Sequence, residues 1–188
     1  RECGLCVRGL AWSPDSQTLF AGCMGGTGGV AVIDADRPDG PGLAGRVDLG
    51  GKPRDLAVSP DGKWLFVASS GAGAVIRAEV TGVLAAASTG HAAALTLSSV
   101  RTGGTPRSMR LSPNGRWLFV ALNSDSQVAA VDTKKMEVVA RVGADSFPVG
   151  MDISPDGRFL WVTSQGIDGA GGNSVGVYEI SAATAAPR

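Results

Sequence analysis

The chain has 188 residues, enough for one well-buried domain and too few for two ordinary ones. Its 17 basic and 17 acidic side chains cancel, which argues against a protein built to coat nucleic acid or an anionic membrane, since both leave a basic excess. No apolar run reaches the roughly 18 residues needed to cross a bilayer, and the 28 glycines have no collagen-like period, so they belong to tight turns.

The chain opens on Arg1 without a charged-then-apolar leader, and this end is uninformative about export. Cys3-Gly4-Leu5-Cys6 has the spacing that elsewhere marks zinc, redox or haem chemistry. Haem attachment needs His directly after Cys6, and Val7 is there. Zinc needs about two further ligands, and only Cys23 and the distant His91 are on offer. A structural role is therefore expected, and a disulfide among Cys3, Cys6 and Cys23 stays open in an oxidising compartment. No metal and no cofactor is expected.

Four segments then align without gaps. They begin Ser13-Pro14-Asp15-Ser16, Ser59-Pro60-Asp61-Gly62, Ser112-Pro113-Asn114-Gly115 and Ser154-Pro155-Asp156-Gly157, and each runs on into an apolar stretch such as Trp117-Leu118-Phe119-Val120. Serine to serine, the spacings are 46, 53 and 42 residues, near the roughly 40 to 50 of propeller repeats. Before each Ser-Pro lies a short apolar strand, such as Leu56-Ala57-Val58. Pro presets φ, the Asp carboxylate accepts a nearby backbone N–H, and Gly tolerates positive φ, so a tight turn follows. The second strand is apolar on both faces and must be buried between sheets. In the third unit, residues 127–132 and 137–142 read as strands three and four. No segment holds a helical period long enough to compete, although unit two carries extra residues around 85–97.

One four-stranded sheet with two apolar faces is not stable alone in water. Stacking copies face to face around an axis buries both faces. The expected fold is all-β: a β-propeller with about four blades of four antiparallel strands. The blades fall at 8–52, 53–105, 106–147 and 148–188, with 1–7 as an outer strand, in one domain.

The unit resembles that of the YVTN-type propeller family. The third unit, from Pro106 to Gly143, matches best, with Val131-Asp132 and Val142-Gly143 where the family has them. Unit one matches through Val30-Ala31-Val32-Ile33-Asp34 and unit four through Val175-Gly176-Val177-Tyr178. The resemblance implies a rigid binding scaffold, periplasmic, secreted or on the cell surface, usually without assigned catalysis and mostly with seven blades. Unit four ends without a fourth strand. Either residues 2–7 supply it and close a small ring, or the chain is part of a larger, seven-bladed ring; the second is favoured. An open arc exposes sheet faces and is expected to self-associate.

Candidate chemistry is sparse. Arg8, Arg54 and Arg107 occupy one repeat position, at the start of the inner strands, and unit four has Val149 there. Guanidinium forks so placed suit a carboxylate or phosphate; the plainer reading pairs each with an acid such as Asp55. The loops after the second strands, with Asn123, Asp125 and Asp168, are expected on the same face. Calcium at Asp125 or Asp168 is disfavoured, because the acids are too few. His91 reads as a loop residue without a nucleophile beside it. Trp64, Trp117 and Phe159 share one repeat position and read as packing between blades. The Gly-rich loop 166–172 precedes a strand, which removes a phosphate-loop reading.

The function expected is a non-enzymatic binding scaffold recognising a protein, polysaccharide or small anion on its loop face through Arg8, Arg54, Arg107, Asn123 and Asp125, with no catalytic residue assigned. The alternative is a propeller enzyme, lactonase-like or a quinone- or haem-dependent dehydrogenase domain. No nucleic-acid partner and no membrane span is expected.

Overall fold

The four Ser-Pro turns set the architecture, because each joins an inner strand to a buried second strand in register. In the computed structural model, which describes residues 6–25, 28–90, 95–167 and 171–180, the strands form antiparallel sheets in chain order. The first holds β1 (Val7–Trp12), β2 (Thr18–Cys23), β3 (Val30–Asp34) and β4 (Gly42–Val47). The second holds β5 (Pro53–Val58), β6 (Trp64–Ser69), β7 (Ala74–Glu79) and β8 (Leu97–Arg101). The third holds β9 (Pro106–Leu111), β10 (Trp117–Leu122), β11 (Gln127–Asp132) and β12 (Glu137–Gly143). The fourth has three strands among the described residues, β13 (Pro148–Ile153), β14 (Phe159–Ser164) and β15 (Ser174–Glu179). Residues 1–5, expected in an outer strand, lie outside the described residues, and Val7 already belongs to the inner strand β1.

The chain divides into two compact units, residues 1–99 and 100–188. In the first, Phe20, Val30 and Val32 from one face of the first sheet cluster with Leu56, Leu65, Val67 and Ile76 of the second. In the second, Phe119, Val128 and Ala130 of the third sheet cluster with Met151, Leu160 and Val162 of the fourth. The pattern is the same in both: an aromatic-and-valine face of one blade packs on an aliphatic face of the next. Each buried Phe, Leu or Val contributes about 1.5–3 kcal/mol.

The turns form as the residue types require. The serine hydroxyl donates to the side chain two residues on, at 2.6 Å in Ser59–Asp61 and 2.7 Å in Ser112–Asn114. The same hydroxyl oxygen accepts the amide that opens the next strand, at 2.9 Å for both Trp64 and Trp117. The Gly amide bonds back to the serine carbonyl at 2.8 Å, with φ of 73° at Gly62, 70° at Gly115 and 71° at Gly157. The first unit has Ser16 there, forced to φ 60°. Hydrogen bonds from Ser13, Ser59 and Ser154, and then from the backbone, hold the carboxyls of Asp15, Asp61 and Asp156 below the usual carboxylate value.

One element corrects the reading of the sequence. Residues Val80–Thr89 form an α-helix, α1, where only strands and an insertion at 85–97 were expected. Val80, Val83 and Ala87 fall on one side at helical spacing and are buried, and Gly90 closes the helix in the left-handed region at φ 71°. The signal was short and Ala-rich, and it is tertiary packing that makes so brief a helix stable. α1 lies against β4 so closely that a Cβ on Gly45 would stand 1.9 Å from the Ala87 carbonyl oxygen.

Two outcomes follow from the turns. Ser16→Gly relieves a left-handed serine and raises stability by about 0.5–1 kcal/mol, read from denaturant midpoints. The depressed aspartate pKa values mean that their stabilisation is complete above the unfolded value of 3.8 and is lost as pH falls through the lower folded values. Replacing Asp15, Asp61 and Asp156 by Asn, which Asn114 shows to be compatible with the turn, therefore flattens the fall in stability below about pH 4 in acid titrations followed by circular dichroism.

Candidate functional site

The ladder between inner and second strands slips in every blade at the start of the inner strand. In the second sheet Pro53 pairs with Ser69 and Asp55 with Ala68, leaving Arg54 as the extra residue. Leu122 pairs with Pro106 and Ala121 with Ser108, leaving Arg107; Pro148 pairs with Ser164 and Gly150 with Thr163, leaving Val149. In the first sheet the slip spans Arg8 and Gly9. A bulge releases one residue from the ladder and re-aims its side chain, so the repeated arginine position is a bulge position.

The loop face of each sheet lies at this same end. The amide after the second strand bonds to the carbonyl just before the inner strand: Met24 to Cys6 at 3.1 Å, Ser70 to Lys52 at 3.0 Å, Asn123 to Thr105 at 3.0 Å and Gln165 to Phe147 at 3.1 Å.

In the first unit the inner strands β1 and β5 are neighbours. Their backbones approach so closely that a Cβ on Gly9 would lie 2.6 Å from Asp55 Cα. Arg8 and Arg54 each precede a residue of this crossing. Arg8 is exposed and Arg54 half-buried. The Nε of Arg54 is buried and has no hydrogen-bond partner. The buried Nε atoms of Arg77 and Arg116 are also unbonded, but those guanidiniums cover Trp64 at 4.4 Å and Trp117 at 5.0 Å.

In the second unit Arg107 is half-buried and engaged in interactions of its own. Asn123 donates its side-chain amide to the Pro148 carbonyl at 3.0 Å, which ties the third blade's loop to the fourth blade's inner strand. Asp125 is exposed, with its carboxyl against the Gly103-Gly104 turn; a Cβ on Gly104 would stand 2.9 Å from it. Asp168, His91 and Cys3 lie outside the described residues. Cys6 is exposed; Cys23 is buried, and its thiol donates to the Ala21 carbonyl at 3.6 Å. No three His, Cys, Asp or Glu side chains converge among the described residues. Trp64, Trp117 and Phe159 open the second strands at the end opposite the bulges, each under an arginine.

Asp145 is a polar centre that the sequence did not reveal. It accepts the Ser174 hydroxyl at 2.7 Å, the Ser146 amide at 2.6 Å and the Gly172 amide at 3.2 Å, which clamps the loops at 143–147 and 171–174. These bonds, the Ser174 one first, hold its carboxyl below the usual range. Its partners lie up to 29 residues away, so no local pattern marks it. Tyr178, whose hydroxyl donates to the Gly143 carbonyl at 3.1 Å, is raised above the ordinary phenol value by burial and then by the Asp145 charge. It is the chain's one tyrosine. Its phenolate absorbance therefore titrates above the ordinary value, and Asp145→Asn lowers the midpoint only in part, because burial is the larger cause.

Comparison with known proteins places this geometry. The WD domain, G-beta repeat, matches residues 2–28. No curated protein matches the chain in sequence. Among solved structures, hydrazine synthase of Kuenenia stuttgartiensis is similar with a TM-score of 0.78 and 25% identity, over 93% of this chain and 46% of that one. The periplasmic gluconolactonase of Pseudomonas aeruginosa gives 0.73 and 21%, over 93% and 53%. The β-propeller domain of Myceliophteria thermophila Cps50 (Swd1) gives 0.66 and 13%, over 85% and 49%. The chain thus spans about half the length of the structures it matches. In its repeats, its antiparallel sheets in chain order and these likenesses, it is a stretch of β-propeller.

Proposed function

We propose that this propeller is a non-enzymatic binding scaffold outside the cytoplasm, and that it takes a carboxylate or phosphate group of its ligand at Arg8 and Arg54. The observation that carries the reading is the buried, unbonded Nε of Arg54. A buried donor without a partner costs about 1–3 kcal/mol, and an anion seated on the guanidinium removes that cost. Arg77 and Arg116 already lie on indole rings, while Arg54 sits at a bulge next to the strand that carries Arg8. Arg107, with Asn123 and Asp125, is the corresponding set of the third blade. Neutral net charge supports recognition of a discrete anionic group rather than of a long polyanion.

A second reading is a lactonase-like enzyme. It is supported by the likeness to the Pseudomonas aeruginosa gluconolactonase, and the same arginines would then stabilise the charge that develops on a lactone's carbonyl oxygen during hydrolysis.

Calorimetric titration with citrate and with inorganic phosphate tests the first reading. Arg54→Ala weakens binding about 10- to 100-fold, and Arg54→Lys also weakens it, because an ammonium does not reproduce the fork. Equal affinity in wild type and Arg54→Ala ends the anion reading. Turnover of glucono-δ-lactone by wild type that falls in Arg54→Ala selects the enzyme.

A further inference from the structure

Of the asparagines in the chain, Asn114 stands before glycine, while Asn123 and Asn173 stand before serine. A glycine amide nitrogen has no side chain beside it to hinder its attack, so an Asn-Gly pair is where a chain most readily loses ammonia. The Gly115 nitrogen bonds to Cγ of Asn114, the Cγ–Nδ2 bond breaks, and ammonia leaves with the amide proton. Water then opens the cyclic imide at either carbonyl, to aspartate or to isoaspartate. In the folded turn both reacting groups are engaged. The Gly115 amide donates to the Ser112 carbonyl at 2.8 Å. Oδ1 of Asn114 accepts the Ser112 hydroxyl at 2.7 Å and the Arg116 amide at 3.0 Å. Ring closure has to take the amide off its carbonyl and the carboxamide off its two donors, so opening of the turn precedes the chemistry.

We propose that Asn114 is a modification site gated by the turn of blade three: its deamidation waits for that turn to open, and the aspartate formed is taken back into the same bonds. The aspartate product has its place already. Asp15, Asp61 and Asp156 hold this position in the other blades, and each accepts the serine hydroxyl and the amide two residues on. In blades two and four the cation two residues on lies beside the carboxylate, Lys63 at 3.9 Å and Arg158 at 4.0 Å. Blade three has Arg116 there, now paired with Asp132 at 3.4 Å, so a new carboxylate at position 114 meets a cation within reach. Isoaspartate is different. It adds a methylene to the backbone between Ser112 and Trp117, whose amide bonds to the Ser112 hydroxyl at 2.9 Å, and the turn no longer closes in register.

The full chain is held at mildly alkaline pH, folded in buffer and unfolded in guanidinium chloride, and peptide mass spectrometry follows conversion at Asn114. Released ammonia is the second readout. Conversion in the folded chain runs at most about one tenth as fast as in denaturant, because only the open fraction reacts. Ser112→Ala removes the hydroxyl bond to Oδ1 and raises the folded rate about tenfold, while Asn123 in the same digests keeps its wild-type rate. Asn114→Asp folds with the circular dichroism of wild type and a denaturant midpoint no lower at neutral pH. Equal rates in buffer and in denaturant overturn the proposal. So does a rise of Asn114 and Asn123 in step in Ser112→Ala, which marks global unfolding rather than release of the turn, or a lower midpoint in Asn114→Asp. The comparison of folded and unfolded wild type needs no variant, so it decides the matter should Ser112→Ala fail to fold.

Discussion

Everything in this chain depends on a strand that is apolar on both faces. Leu65, Phe66, Val67 and Ala68 are each at most 1% exposed, and such a strand is stable only with a packed layer on either side. A half-polar strand would have allowed a sandwich with one wet face. A sheet with such a strand has to be covered twice, whereas in the fourth sheet buried Leu160 and Val162 alternate with exposed Trp161 and Thr163. Repetition of the blade is thus the solution to a burial problem that a single blade does not solve.

The Ser-Pro-Asp-Gly turn makes that repetition accurate. One serine hydroxyl donates to the Asp or Asn side chain and accepts the strand amide, so a single residue fixes both the turn and the first residue of the second strand. A slip of one residue would exchange the aromatic face for the aliphatic one and break the face pairing on both sides. The Asn114 turn keeps the same bonds without a charge, which shows that geometry rather than ionisation is the requirement.

In every sheet the ladder between the inner and second strands is interrupted at the start of the inner strand. A bulge takes Arg54 and Arg107 out of the ladder beside the loops, while the rest of each inner strand stays in register. Glycine at position 9 lets neighbouring inner strands approach there.

The sequence by itself determined the blade: its four copies, its turns, its strand order and the repeated arginine position were all legible, because each rests on local residue types recurring at fixed offsets. It did not reveal α1, since Val80, Val83 and Ala87 become a helix face only once β4 presents Gly45 to receive them. It did not reveal Asp145, whose partners are brought together by the fold across 29 residues. Nor did it distinguish Arg54 from its repeat copies. Identical positions in a repeat receive different neighbours, and only the tertiary structure decided which guanidinium of the repeated set keeps a buried donor unbonded.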